Sequence, residues 1–315
     1  MVKFSVVKWQ KLWWIISAIL CIASIIAMVV SYSSIGNIIR PSLDFVGGTR
    51  LQLELDCNVP NNCDRPLTVN ELREVLDAEN LANSSIQIVG QEQHGISIRT
   101  KTLNVEERTK LQETLQEKIG VFRAESTQID TVGPTIGKQL FISGILALLV
   151  SFVGTVVYLS FRFQTDYAVF AIVALFHDVL ITCGVFALLG LVMGLEVDTL
   201  FLVALLTIVG YSVNDTVVIY DRVREIGKTS TADSMDDIID TAVNQTLTRS
   251  INTSVTTLLP LVAIFFFGGE TLKYFALALI IGVFAGSYSS IFVASTLLGW
   301  WRKKTNWENP VIVES

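Results

Sequence analysis

Charge is what this sequence has least of. Only 17% of its 315 residues are Asp, Glu, Lys or Arg, against about a quarter in a typical soluble domain. With 51% apolar residues, that shortage argues against an ordinary soluble enzyme and for a chain that spans a membrane several times. A basic excess is missing too: 23 Lys and Arg stand against 29 Asp and Glu, a net charge of −6. A broad nucleic-acid surface needs clustered positive charge, so no nucleic-acid partner is expected. Histidine occurs twice, with no Cys or carboxylate cluster at ligand spacing beside it in sequence, so no metal site is expected. The stretch Gly133-Pro134-Thr135-Ile136-Gly137-Lys138 is one residue short of a phosphate-binding loop and lacks the following Ser or Thr. A nucleophile elbow and a Gly-rich dinucleotide fingerprint are also lacking. The expectation is a protein that is not an enzyme and carries no cofactor.

What the sequence does have is long apolar runs. A membrane-spanning helix needs about 20 such residues. Leu12 to Val30 and Leu140 to Phe161 are uncharged runs of that kind. Tyr167 to Gly190 carries His177 and Asp178, and Thr199 to Tyr220 carries Asn214 and Asp215. A fifth run, Val255 to Phe267, reaches spanning length only when extended back through Arg249, and a sixth covers Tyr274 to Trp300. Six spans result. Lys3, Lys8 and Lys11, Arg162, Arg222, Arg224 and Lys228, and Arg302 to Lys304 all flank one side, while the opposite short loops hold Glu196, Asp198 and Glu270 with only Lys273. By the positive-inside rule both termini face the cytoplasm. The first run is longer than a signal-peptide core and no clear small-x-small cleavage site follows it, so an uncleaved first span is expected.

The organisation that follows is a cytoplasmic N-terminus and first helix over 1–30 and an extracytoplasmic domain over 31–137. Five further helices cover 138–300 with a cytoplasmic loop at about 221–247, and 301–315 forms a cytoplasmic tail. The outer domain reads as strand, helix, strand, strand, helix, strand. Residues 50–56 alternate apolar and polar, as a half-buried strand does. Thr68 followed by Glu71 has capping-box spacing and opens a helix to Asn80. Short strands follow at Ser85 to Gln91 and Gly95 to Thr100, a helix at Asn104 to Ile119, and a strand at Phe122 to Thr131. The order is that of a ferredoxin-like split βαβ unit. Within it, Cys57 and Cys63 bracket a short loop. An oxidising outer compartment favours a disulfide there, and two free surface thiols are the alternative. Cys21 and Cys183 lie in spans and are read as packing residues.

Ionisable groups inside a span are expensive and face the bundle interior or a water path. Asp215, in Tyr211-Ser212-Val213-Asn214-Asp215-Thr216, is the first candidate. Arg249 is the partner expected for it: the two differ in depth by roughly 5 Å at about 1.5 Å per residue, within reach of an Arg side chain. A proton-carrying carboxylate and a permanent ion pair both fit. His177 and Asp178 are read either as a relay toward Asp215 or as interhelical hydrogen bonding, the latter favoured for His177. Asn214 and Asn252 are supporting polar candidates, and the run from Asn244 to Thr257 cannot all face lipid. Gly282-x-x-x-Gly286, and more weakly Gly190-x-x-x-Gly194, read as close helix-packing signals.

Several of these segments together carry a resemblance. They are Leu43 to Thr49, Val132 to Gly137, Ala174 to Asp178, Val209 to Val218 running on through Glu225, Asn244 to Ser254, and Gly286 to Phe292. With the layout of one span, one outer domain and five spans, they resemble the SecF branch of the SecD/SecF protein-export family. Thr296 stands where that family often has Pro. The resemblance implies an RND-superfamily half in the cell membrane that pairs with SecD into a twelve-span unit. It also implies use of the proton-motive force to promote late steps of preprotein translocation, alongside SecA, SecYEG and YajC. The family's proton-pathway Asp and Arg map onto Asp215 and Arg249. Two other readings stay open: an interaction subunit that stabilises the translocon and moves no protons, and half of an RND-type small-molecule or lipid exporter.

Overall fold

The computed structural model describes residues 4–82, 84–90, 93–229 and 234–305. The expected strand end at Gln91, the centre of the polar stretch at 230–233 and the tail at 306–315 lie outside the described residues. In chain order the elements are α1 (Gln10–Ile35), α2 (Leu43–Val46), β1 (Gly48–Glu54), α3 (Val69–Ala78), β2 (Ser85–Val89), β3 (Gly95–Thr100), α4 (Val105–Lys118), β4 (Gln128–Val132), α5 (Pro134–Arg162), α6 (Thr165–Met193), α7 (Thr199–Thr229), α8 (Met235–Phe267), α9 (Glu270–Tyr288), a π-helical segment (Ser289–Ala294) and α10 (Ser295–Lys304). They form two compact units, Pro41–Ser143 and the helical remainder.

The smaller unit is a four-stranded sheet of order β2-β3-β1-β4 with every adjacent pair antiparallel. That is the expected split βαβ arrangement. The alternating side chains of β1 send Leu51 and Leu53 to one face, where they meet Ile96 and Ile98 of β3, Leu72 and Leu76 of α3, and Leu111 and Leu115 of α4. The helix starts differ from expectation in one respect. Thr68 accepts from the Glu71 N–H, but the Glu71 side chain turns away to Arg65 at 3.1 Å, so only half a capping box forms. The complete reciprocal box is at Asn104 and Glu107. On the outer surface, the Lys110 ammonium lies 2.8 Å from Glu79 and holds that carboxyl below the usual carboxylate range. Gly47 and Gly48 lead into β1 at φ +77° and +126°, which side chains rarely adopt. A Cβ on Gly47 would sit 2.7 Å from the Cα of Pro134, so the backbone that starts α5 closes directly on this pair.

In the helical unit six helices are long and apolar enough to cross a membrane: α1, α5, α6, α7, α8 and the continuous run Leu272–Lys304. α1 is helical to Ile35, past the end of its apolar run. It buries three serines at heptad spacing, Ser17, Ser24 and Ser31, and leaves large apolar residues such as Ile15, Ile19, Ile26 and Val29 exposed. That is the pattern of a membrane helix, in which small residues face the neighbour and bulky ones face the hydrocarbon. Most of the loop expected at 221–247 is helix, because α7 continues to Thr229 and α8 already begins at Met235. Gly282 and Gly286 pack on Ile208 and Ser212 of α7 as close-approach residues. Gly194 does something else: at φ +68° it is the left-handed cap that ends α6, so the second Gly-x-x-x-Gly pair is not a packing motif. The final run is not one uniform helix, because Ser289–Ala294 within it is π-helical.

Gly184 of α6 abuts Ser24 of α1, where any Cβ would overlap the serine backbone. Gly184→Leu is expected to detach α1 and to lower the thermal unfolding midpoint of the detergent-solubilised protein. Gly227→Leu, at a position with nothing within 4 Å of a new Cβ, should leave the midpoint within error.

Candidate functional site

α7 turns one stripe inward: Ile208, Ser212, Asp215, Thr216, Ile219, Val223 and Ile226 are all buried, at the spacing of one helix face. Asp215 is therefore carried into the interior, 7% exposed. Its Oδ1 accepts a hydrogen bond from Ser250 Oγ of α8 at 2.6 Å. Its Oδ2 is buried and has no hydrogen-bond partner among the described residues. This leaves half of a carboxylate's acceptor capacity unused in a low-dielectric surrounding, where an unpaired polar group is costly.

The expected direct pairing with Arg249 is not what the structure shows. Among the described residues no ion pair joins Asp215 to Arg249, and Ser250 takes the contact instead. The reason is helical geometry: neighbouring residues on a helix point about 100° apart, so turning Ser250 toward α7 turns Arg249 outward, where it is exposed. The guanidinium remains near enough to act electrostatically on the Asp215 carboxyl. Asn214 and Asn252 are exposed as well.

The polar run of α8 divides by face. Thr246, Ser250 and Ser254 point inward, and Ser254 Oγ meets Ser287 Oγ of α9 at 2.7 Å and receives the Tyr211 hydroxyl of α7 at 2.9 Å. Thr248, Arg249, Asn252 and Thr256 form an exposed stripe on the other side. One turn along α7 from Asp215, a cavity of about 200 Å³ opens between α7, α8 and α9, lined by Thr207, Ile208, Tyr211, Thr257, Pro260 and Leu261 among others. Its exposed wall is apolar, because the Thr207 and Thr257 hydroxyls bond back to Val203 and Thr253 on their own helices and the Tyr211 hydroxyl is turned to Ser254.

His177 and Asp178 lie elsewhere, on α6, which packs on a different side of α7 from α8. Asp178 is 0% exposed. Its Oδ1 lies 2.9 Å from His177 Nδ1, and its Oδ2 accepts from Ser212 Oγ at 2.6 Å and Ser289 Oγ at 2.8 Å. The His177 ring stacks on Tyr288 with centroids 6.2 Å apart. The His177 hydrogen bond is therefore within α6, its Nε2 is buried without a hydrogen-bond partner among the described residues, and the interhelical hydrogen bonds are made by Asp178 instead.

Two family models match the chain across this geometry. The one described as "Protein export membrane protein SecD/SecF, C-terminal" covers residues 111–304, and the "SecD/SecF GG Motif" covers 39–59, the segment of Gly47 and Gly48. The chain is 58% identical, over 98% of its length and 97% of the relative's, to the protein translocase subunit SecF of Synechocystis. The chain belongs to the SecD/SecF family. The SecF of Prochlorococcus marinus is 40% identical over 94% of both chains. The crystal structure of SecDF from Thermus thermophilus superposes with a TM-score of 0.79 at 32% identity, covering 96% of this chain and 39% of that one. The chain thus spans about two fifths of the SecDF it matches. It is a multi-pass membrane protein with one small α+β domain.

Two features of the site region are not visible in the spacing of residues. Nothing in the sequence singles out Ser250, since one hydroxyl among many in a polar run gives no direction. The partners of Asp178, Ser212 and Ser289, are far apart in sequence and meet only through helix packing. In the smaller unit, Cys57 and Cys63 form a disulfide with Cα atoms 5.3 Å apart, and His94 Nδ1 lies 3.6 Å from Cys57 Sγ. The three potential ligand atoms fall within 4.8 Å of one another. Both sulfurs are committed to the bond, and a metal ligand must be a thiolate.

Ser250→Ala removes the hydroxyl that satisfies Asp215 Oδ1 and leaves both carboxylate oxygens without a side-chain donor. A loss of about 1–3 kcal/mol is expected from such an orphaned group. Thermal unfolding of the purified protein measures it, with Thr256→Ala on the exposed stripe of α8 as the neutral comparison.

Proposed function

We propose that this chain is the SecF-type subunit of a protein-export complex, that it pairs with a SecD subunit, and that protonation and deprotonation of Asp215 couple the proton-motive force to export. The observation that carries the reading is Asp215 itself. It is a buried carboxylate with one oxygen held by Ser250 and the other unpartnered, beside a guanidinium that no carboxylate engages among the described residues.

The exposed stripe on α8 supports the partner. Arg249 lies near the cytoplasmic end of its span with Asn252 and Thr256 further in, and a second membrane subunit covering this stripe would keep its polar groups out of hydrocarbon. α5, whose most apolar stretch buries nothing inside this chain, offers further uncovered surface. The SecDF of Thermus thermophilus is more than twice as long as the part matched here, so it holds further chain that a partner would have to supply.

On this reading the resting site holds an ionised Asp215 in the field of Arg249. A proton arriving on Oδ2 neutralises the carboxyl, weakens its attraction for Arg249 and lets α7 and α8 change their relative position. Losing the proton to the other side restores the first arrangement. Each charge crossing the membrane releases about 2.3 kcal/mol per 100 mV, enough to bias two helix arrangements of similar stability. Both termini face the cytoplasm and the domain over 31–137 lies outside, following the distribution of Lys and Arg. Translocating preproteins, and the SecYEG, SecA and YajC components, are the partners this assigns. The chain performs no catalysis and needs no cofactor.

Asp215→Asn keeps the volume and the hydrogen bond from Ser250 and removes the titration. In cells with an intact membrane potential and a normal level of the variant, preprotein export should fall at least about tenfold, the effect of losing an interaction worth about 1.4 kcal/mol. Near-normal export would overturn the proton role and leave an interaction subunit that moves no protons.

A further inference from the structure

We propose that Asp178 is a positioning residue: its carboxylate pins α7 to α6 and to the π-helical segment, and thereby fixes where Asp215 stands. The proposal rests on the role given to Asp215 above and extends it to a group outside the proton site.

The contacts of Asp178 come from three separate parts of the chain. His177 Nδ1 is 2.9 Å from Oδ1, and the hydroxyls of Ser212 on α7 and Ser289 in the π segment donate to Oδ2 at 2.6 and 2.8 Å. Asp178 is fully buried and both of its oxygens are engaged, in contrast to Asp215, whose Oδ2 is unpartnered among the described residues.

The pin belongs to a longer seam. Further along the same face of α7, Thr216 Oγ1 lies 2.8 Å from Ser290 Oγ, and the Tyr220 hydroxyl donates to the Ala294 carbonyl at 3.1 Å. Ser212 reaches Ser289 through Asp178, and Thr216 and Tyr220 are tied at the next two turns to Ser290 and Ala294, all residues of the π segment. A π turn widens the helix by one residue and commonly sits at a functional site. Here it brings Ser289 to the acidic group and Ser290 to the next turn of α7. Asp215 is three residues beyond Ser212, so the seam that fixes Ser212 also fixes Asp215 against Ser250. The His177 Nε2 is buried without a partner among the described residues, so the pin consists of Asp178 and its two serine donors, both of whose contacts cross between helices.

The test compares export and helix register in the full chain within its membrane. Asp178→Asn retains an oxygen for both serine hydroxyls and places an amide beside His177, whereas Asp178→Ala retains nothing. Export should stay within about twofold for Asn and fall at least about tenfold for Ala, the scale of losing hydrogen bonds to a charged acceptor. Register is read separately by oxidative cross-linking of Thr216→Cys with Ser290→Cys, in a background with Cys21 and Cys183 replaced by Ser. The yield should be high with Asp178 in place and with Asp178→Asn, and should drop severalfold with Asp178→Ala. Should the Ala variant fail to accumulate, Ser212→Ala combined with Ser289→Ala, which keeps Asp178, should reproduce the loss of export. An Asp178→Asn variant as inactive as Asp215→Asn would overturn the proposal by making Asp178 a proton carrier. Normal export and cross-linking in both the Ala and the double-serine variants would overturn it outright. If Asp215→Asn alone proves active while Asp178→Ala still loses the cross-link, the proton reading fails and the pin survives as a register device.

Discussion

A carboxylate carried through a membrane on a helix has to be held by something, and how completely it is held decides what it can do. This constraint organises the helical unit. Asp178 and Asp215 lie on adjacent helices and meet different neighbours, and they are held in contrasting ways. Asp178 engages both its oxygens with donors from α6, α7 and the π segment. Asp215 has one donor, Ser250, and one oxygen unpartnered among the described residues. The more donors hold a buried carboxylate, the more it stiffens the structure around it.

The rest of the helical packing serves these two groups. Gly282 and Gly286 let α9 approach α7 closely enough for the serines of the π segment to reach across. The serine stripe of α1 and Gly184 hold α6 from its far side. At one end, Arg302 of α10 is buried among Asp166, Gln164 and Tyr167, with its Nε 2.6 Å from Asp166, and so ties the last helix to the start of α6. What the chain leaves open is equally consistent: the polar stripe of α8 around Arg249 and the apolar surface of α5 are both uncovered.

Much of this is legible in the sequence, and the parts that are not share a cause. Six apolar runs, the strand and helix order of the smaller unit, and the rare charges within the spans follow from composition and period, which are local properties. The link between Asp215 and α8 is legible as depth but not as direction. Depth depends only on rise per residue and puts Arg249 at the right level. Direction depends on helix rotation, which turns Ser250 to the inner face and Arg249 to the outer one. The seam from Asp178 to Ser289 joins residues more than a hundred positions apart, and the π turn that makes it has no compositional mark. The complete capping box at Asn104 and Glu107 hides for a simpler reason, since Thr68 and Glu71 carry the same spacing and only the fold reveals that Glu71 prefers Arg65.

The central claim is that Asp215, and not Asp178, takes up and releases a proton. Infrared difference spectroscopy of the complex reconstituted in lipid, recorded as the pH is stepped down, observes the carbonyl stretch of a carboxyl as it becomes protonated. A buried-carboxyl band should appear in the unmodified protein and in Asp178→Asn and be absent in Asp215→Asn. A band that persists in Asp215→Asn and vanishes in Asp178→Asn would contradict it.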